Sequence, residues 1–199
     1  VKLDASEMVF VGYGVNAPEQ KWNDYAGLNV KGKTVVMLVN DPGFHAGDAN
    51  LFEGRRMTYY GRWTYKYEEA ARQGAKAVFI VHQTAPAAYP WSVVESSNTG
   101  SKFTLVDDHN NADKLPIMGW IQHDVAQQIF KSAGLDFAEQ EKQAEQDSTE
   151  QQNQSEAEKQ QNQQQTEEDK ESAEQELSEM QKSEQEKLEE QQQQELQQW

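Results

Sequence analysis

The stretch MTYYGRWTYKYEEAARQGAKAVFIVH, residues 57–82, decides the fold. It holds one amphipathic helix and one buried strand joined by a single glycine. Thr64 is placed to cap the helix, Tyr67, Ala70 and Ala71 recur at helical spacing on one face, and Gly74 supplies the left-handed residue that ends it. Lys76 to Val81 then reads as a strand. Its apolar run from Ala77 to Val81 is unbroken, the pattern of a strand covered on both faces. A second such run, TVVMLV at 34–39, lies upstream. Strand, helical crossover and strand predict parallel pairing, a right-handed connection and an α/β centre.

Working outward, MVFVGYGV at 8–15 alternates and reads as a strand whose two glycines mark a bulge or a close backbone approach. Residues 16–33 read as a loop anchored by Trp22 and Tyr25, and Asn40-Asp41-Pro42-Gly43 carries turn chemistry. After His82 the segment QTAPAAYPW predicts irregular structure, Ser92 to Glu95 a short edge strand, and Ser96 to Lys114 a polar surface loop. LPIMGWI at 115–121 is a further strand, with Pro116 favouring an edge position. His123 to Ala133 predicts an amphipathic helix with Val125, Ile129 and Phe130 inward. Gly134 stops it, and Leu135 and Phe137 fold back on its last turn.

Composition divides the chain at Phe137. The 199 residues carry a formal charge of −16, but residues 1–137 hold 13 Lys plus Arg against 15 Asp plus Glu, while residues 138–199 hold 5 against 19. All twelve glycines, all five prolines and every aromatic except Trp199 lie in the first part. The expectation is a globular domain over 1–137, a common domain size, followed by an acidic Gln/Glu-rich tail over 138–199. Each tail lysine follows a glutamate by three residues, as in Glu139-Lys142 and Glu179-Lys182. Such pairs favour helix by only ~0.2–0.5 kcal/mol each. Leu177, Met180, Leu188, Leu196 and Trp199 sustain no heptads, so no coiled-coil seam is expected. Ordering costs ~1–2 kcal/mol per residue, and the tail is expected to be a solvated extension, disordered or helical.

Absence of cysteine excludes disulfides and thiolate metal sites. No apolar run approaches the ~20 residues of a membrane span, and no targeting signal opens the chain. Of the four histidines, His82 ends a buried strand and reads as structural. His123 or Asp124 reads as a helix cap. His45 with Asp48, and Asp107 with Asp108 and His109, show no recognised ligand spacing and read as ordinary polar loops; they are the first ligands to consider if zinc is retained. There is no GxSxG elbow, and Gly12-Tyr13-Gly14 sits within a strand pattern rather than before a helix, so no dinucleotide fingerprint is present. Residues 55–67 mix cations with aromatics, as single-strand nucleic-acid surfaces do. The acidity of both parts disfavours phosphate, so nucleic acid is not an expected partner. The candidate interaction surface is Tyr59, Tyr60, Arg62 and Trp63 with Trp91, since exposed Tyr, Trp and Arg carry interface energy. Asn153-Gln154-Ser155 matches a glycosylation sequon.

The segments MVFVGYGVNAPEQKWNDYAGLNVKGKTVVMLVNDPGF, LFEGRRMTYYGRWTYKYEEAARQGAKAVFIVHQTAPAAYPWSVV and LPIMGWI resemble the protease-associated (PA) domain of bacterial di-zinc aminopeptidases, metallopeptidase family 28. Glutamate carboxypeptidase and transferrin receptor are more distant members of that group. The resemblance covers nearly all of residues 1–137. It implies a swivelling β/β/α fold with a partly parallel sheet, an antiparallel sheet and flanking helices. It also implies an accessory role: covering an active site, or binding peptide or protein. In that family the zinc ligands and the general base belong to the peptidase core. No His-x-Asp motif, bridging aspartate or later glutamate pair follows Phe137, so the expectation assigns no catalytic or metal residue to this chain, and zinc only to an associated core. Export to a periplasmic or extracellular site is implied by the resemblance alone. Two alternatives stand beside this reading: a fragment of a zinc aminopeptidase whose core is absent, and a structural spacer acting through its acidic tail.

Overall fold

In the computed structural model, which describes residues 5–46, 51–101, 103, 105, 108 and 114–197, the two unbroken apolar runs become the central strands of a parallel sheet. In chain order the elements are β1 (Met8–Phe10), an antiparallel clip of β2 (Asn16–Ala17) and β3 (Trp22–Asn23), β4 (Thr34–Leu38), α1 (Gly43–Ala46), α2 (Trp63–Arg72), β5 (Ala77–His82), α3 (Thr84–Ala87), α4 (Trp91–Asn98), β6 (Ile117–Gln122), α5 (His123–Ser132) and α6 (Phe137–Gln197). The sheet runs β1-β4-β5-β6, all parallel, with Thr34 opposite Ala77 and Ala77 opposite Ile117. The molecule is thus mixed α/β, with a four-stranded parallel sheet and a two-stranded antiparallel one.

Every residue of β4 is buried, and its alternation supplies two cores. On one face Val35 and Met37 meet Val78, Ile80, Ala70, Ala87 and Leu115. On the other, Val36 and Leu38 meet Val81, Trp22, Ala126, Phe130 and Phe137. A strand buried on both sides needs no polar alternation, which is why the sequence shows none.

Helix α2 starts one residue before Thr64, with extended Arg62 at its cap position and no side-chain cap bond; Thr64 lies inside the first turn. Its buried stripe is Tyr65, Lys66, Glu69 and Ala70, with Tyr67 and Ala71 packed beside the core. Gly74 has φ +80° and ends it as expected. Helix α5 closes with both bonds of a Schellman motif: Leu135 N donates to Phe130 O at 2.9 Å and Gly134 N to Lys131 O at 3.0 Å, with Gly134 at φ +76°. A β-carbon at Gly134 would meet nothing within 4 Å, so only backbone strain opposes a side chain there. Gly134→Ala is expected to lower stability by about 1 kcal/mol, read as a lower urea midpoint at unchanged slope.

Several sequence expectations are corrected. The first strand stops at Phe10, because Gly12 and Gly14 both take positive φ and turn the chain toward the β2/β3 clip. The turn at Asn40 to Gly43 runs directly into α1. Ser92 to Glu95 is helical, inside α4, with Val94 buried. QTAPAAYPW contains α3 and the start of α4. In α5 Phe130 is buried and Ile129 packs on the core as expected, but the third inward residue is Ala126, while Val125 is exposed. His123 and Asp124 lie within the helix, whose cap position is Gln122.

Contacts divide the chain into Val1–Gln152 and Asn153–Trp199. The first unit includes the opening turns of α6, where Phe137 is buried against Phe10, Phe130 and His123 at ring separations of 6.2, 4.8 and 5.2 Å. In the second unit the backbone is helical through Gln197, and the side chains described there, Leu177 and Met180 among them, are exposed.

Candidate functional site

In an open parallel sheet a crevice forms beyond the carboxyl ends of neighbouring strands whose following connections leave to opposite faces. β5 and β6 are such a pair. The chain after β5 carries Ala87 and Tyr89 to the face of Val78 and Ile80; the chain after β6 carries Ala126 and Phe130 to the face of Val36 and Leu38. Between them opens a cavity of about 490 Å³. Its β5 side is His82, Gln83 and Thr84 with Trp91, and its β6 side is Gln122, His123 and Asp124.

His82 is buried, and its Nε2 donates to the Tyr89 carbonyl at 3.0 Å. Its ring stands edge-on to Trp91 at 5.6 Å and to Trp120 at 6.1 Å. It therefore serves as the structural residue expected, and it fixes the indole in the crevice wall. At the rim, Glu141 of α6 takes Gln83 Nε2 on one carboxylate oxygen and His123 Nε2 on the other, the latter at 3.2 Å. One helical turn on, Glu145 takes His45 Nδ1 at 3.1 Å.

The candidate residues fall on two surfaces. Trp91 lines the crevice. Tyr59, Tyr60, Arg62 and Trp63 sit where the chain enters α2, on a 3₁₀ turn over Tyr59–Gly61 that Thr58 caps by accepting from Tyr60 N at 3.3 Å. Tyr59 is 56% exposed and donates to Glu68 at 3.0 Å; Trp63 is 50% exposed and packs on Tyr67 at 5.8 Å. Arg62 is exposed. Tyr60 packs against Phe52 and Tyr65 and donates to Glu19, so it anchors the turn as much as it decorates it. Among the described residues no ring contact joins this set to Trp91.

Sequence reasoning missed what supports that turn. Lys66 is fully buried and donates to the Tyr13 carbonyl. Asp24 accepts from Val15 N at 2.9 Å, and Asp41 accepts from Thr58 N at 2.9 Å and Thr58 Oγ1 at 2.8 Å. Burial pushes the Lys66 ammonium down to about 8, with Asp24 and Asp41 pulling the other way. Burial pushes Asp24 up to about 7 against its bond from Val15 and the charge of Lys66, and raises Asp41 as well. The signal was available: Lys66 stands three and four residues before Glu69 and Ala70, on the inner stripe of α2.

Asp48, Asp107 and His109 lie outside the described residues, as do any contacts they make. Among the described residues no three His, Cys, Asp or Glu converge as a metal site, and no helix is long and apolar enough to cross a membrane. Comparison of the chain with protein-family models, with curated proteins and with solved structures finds no match.

Proposed function

We propose that this chain is a non-catalytic domain of the protease-associated kind that binds peptide or protein, with the β5/β6 crevice and its Trp91 wall as the recognition site and Tyr59, Arg62 and Trp63 as a second contact surface. The observation that carries this reading is the crevice itself: a solvent-open cavity at diverging strand ends, with an indole held edge-on by a buried histidine. Such positions are where α/β sheets take ligands. The resemblance of residues 8–44, 51–94 and 115–121 to peptidase-associated domains supports the accessory role, and with it zinc catalysis in a separate core.

The test is a peptide array probed with the full chain, followed by titration of the strongest ligands. Trp91→Ala is expected to weaken binding about tenfold or more, and Arg62→Ala with Trp63→Ala to weaken it where the ligand reaches the second surface. Melting temperatures of the Arg62→Ala and Trp63→Ala chains should change little, since Trp63 is half exposed and Arg62 exposed. Affinities unchanged by all three substitutions would overturn the site. Turnover of an aminoacyl substrate by the purified chain in excess zinc would overturn the non-catalytic reading.

A further inference from the structure

A carboxylate of the chain itself already joins the two walls of the crevice. Gln83 stands at the exit of β5 and His123 at the exit of β6, on opposite walls, and each donates to a different oxygen of Glu141. A carboxylate accepts only, so one group bridges two donors that the diverging connections hold apart. Four residues on one face of α6 act together, at helical offsets of four, seven and eight from the first: Phe137 in the aromatic core, Glu141 on Gln83 and His123 of the crevice walls, Ala144 against the core, and Glu145 on His45. That is how an amphipathic helix is read by a groove.

We propose that the crevice recognises a carboxylate side chain presented on a helix, and that Glu141 is its internal occupant. The ligand class is therefore an acidic helical peptide. Its carboxylate takes the place of Glu141 on Gln83 and His123, while Trp91 and Gln122 remain open beside it for a neighbouring side chain. Because Glu141 is held in place by its own helix, it competes as an intramolecular ligand, so an outside ligand binds weakly until the internal carboxylate is released or removed. This rests on the crevice being a peptide site, as proposed above.

The experiment uses the full chain, wild type and Glu141→Ala. The probe is a capped peptide with the sequence of residues 136–147, titrated by NMR with the Trp91 indole and His123 ring signals as reporters. Its partner is the same peptide carrying Glu141→Gln and Glu145→Gln. The Glu141→Ala chain is expected to bind the acidic peptide at least tenfold more tightly than wild type does, and about fivefold more tightly than it binds the glutamine version. Adding His123→Phe should erase that preference. Where Glu141→Ala lowers the melting temperature, Glu141→Gln serves in its place. Equal affinity for the two peptides, no gain over wild type, or a preference for a peptide with lysine at those positions overturns the proposal. If both peptides bind equally and Trp91→Ala weakens both, the peptide-binding reading survives and the carboxylate inference fails. If neither these peptides nor any array ligand binds, both fail.

Discussion

Lys66→Ala is expected to cost about 3 kcal/mol at pH 7, because it removes the buried cation whose charge acts on Asp24 and Asp41 and leaves the Tyr13 carbonyl without its donor. Lys66 is fully buried, and the loss would reach Tyr13 through its carbonyl and the Thr58 to Trp63 turn through Asp41. Burial has raised Asp24 and Asp41, so in the variant both can escape by taking up protons. The cost should accordingly be smaller at pH 5 than at pH 7. Lys66→Met together with Asp24→Asn should cost less than the two single changes added, since the partners share one network. A Lys66→Ala chain with a wild-type urea midpoint at pH 7 would show that the ammonium holds nothing together.

The same cluster shapes the pH dependence of stability. Asp24 titrates near 7 when folded against 3.8 as its ordinary value. Between those limits the folded chain keeps a proton that the unfolded chain has released, so this group makes stability fall as pH rises from about 4 to about 7. Lys66 titrates near 8 when folded against 10.5. Between those limits the unfolded chain keeps the proton, so this group makes stability rise from pH 8 toward 10.5. The two together place a trough between pH 7 and 8. It should vanish from the profile of the Lys66→Met, Asp24→Asn chain, measured by urea unfolding across the range.

Phe137→Ala is the second large effect, expected at about 3–5 kcal/mol for a buried aromatic cut back to a methyl group. Phe137 is 2% exposed and its ring meets three others. A chain ended at Gln152 should keep the melting temperature of the first unit, because Phe137, Glu141, Ala144 and Glu145 remain. A chain ended at Asp136 should lose several degrees or fail to fold. Equal thermal stability of those two truncated chains would separate α6 from the core.

The strand-helix-strand centre is legible in the sequence because β4 and β5 are buried on both faces, and a continuous apolar run of five or six residues between turns is what such burial demands. Boundaries shift by a residue where the sheet ladder, rather than hydrophobicity, sets the end. Val93 and Val94 suggest a strand by their β-branching, but Pro90 precedes a helix start at Trp91 and tertiary packing of Val94 overrides the propensity. Lys66 reads as one of several surface cations because lysine is rarely buried, although its spacing places it on the inner stripe. Trp91 stands out in the sequence by its chemistry alone. What makes it part of a site is the divergence of two connections, and that is a property of topology which no local stretch records. Glu141 is hidden for a related reason: in a run of glutamates, only the docked helix distinguishes the one that meets Gln83 and His123.

The strands lie in the sheet in the order in which they occur in the chain, so Met8 awaits Thr34, Thr34 awaits Ala77, and Ala77 awaits Ile117. During synthesis each strand therefore emerges with its neighbour already made, and no pairing has to wait for a distant segment to thread between two others. The face lined by Val35, Met37, Val78 and Ile80 can be covered by α2 soon after β5 appears. The opposite face has Trp22, Phe52 and Tyr65 against it by then, but it is closed only when α5 and Phe137 have left the ribosome. A nascent chain halted before that point would leave open to chaperones the part of this face that Ala126, Phe130 and Phe137 close, and its last step of consolidation would be the arrival of the first turns of the acidic helix.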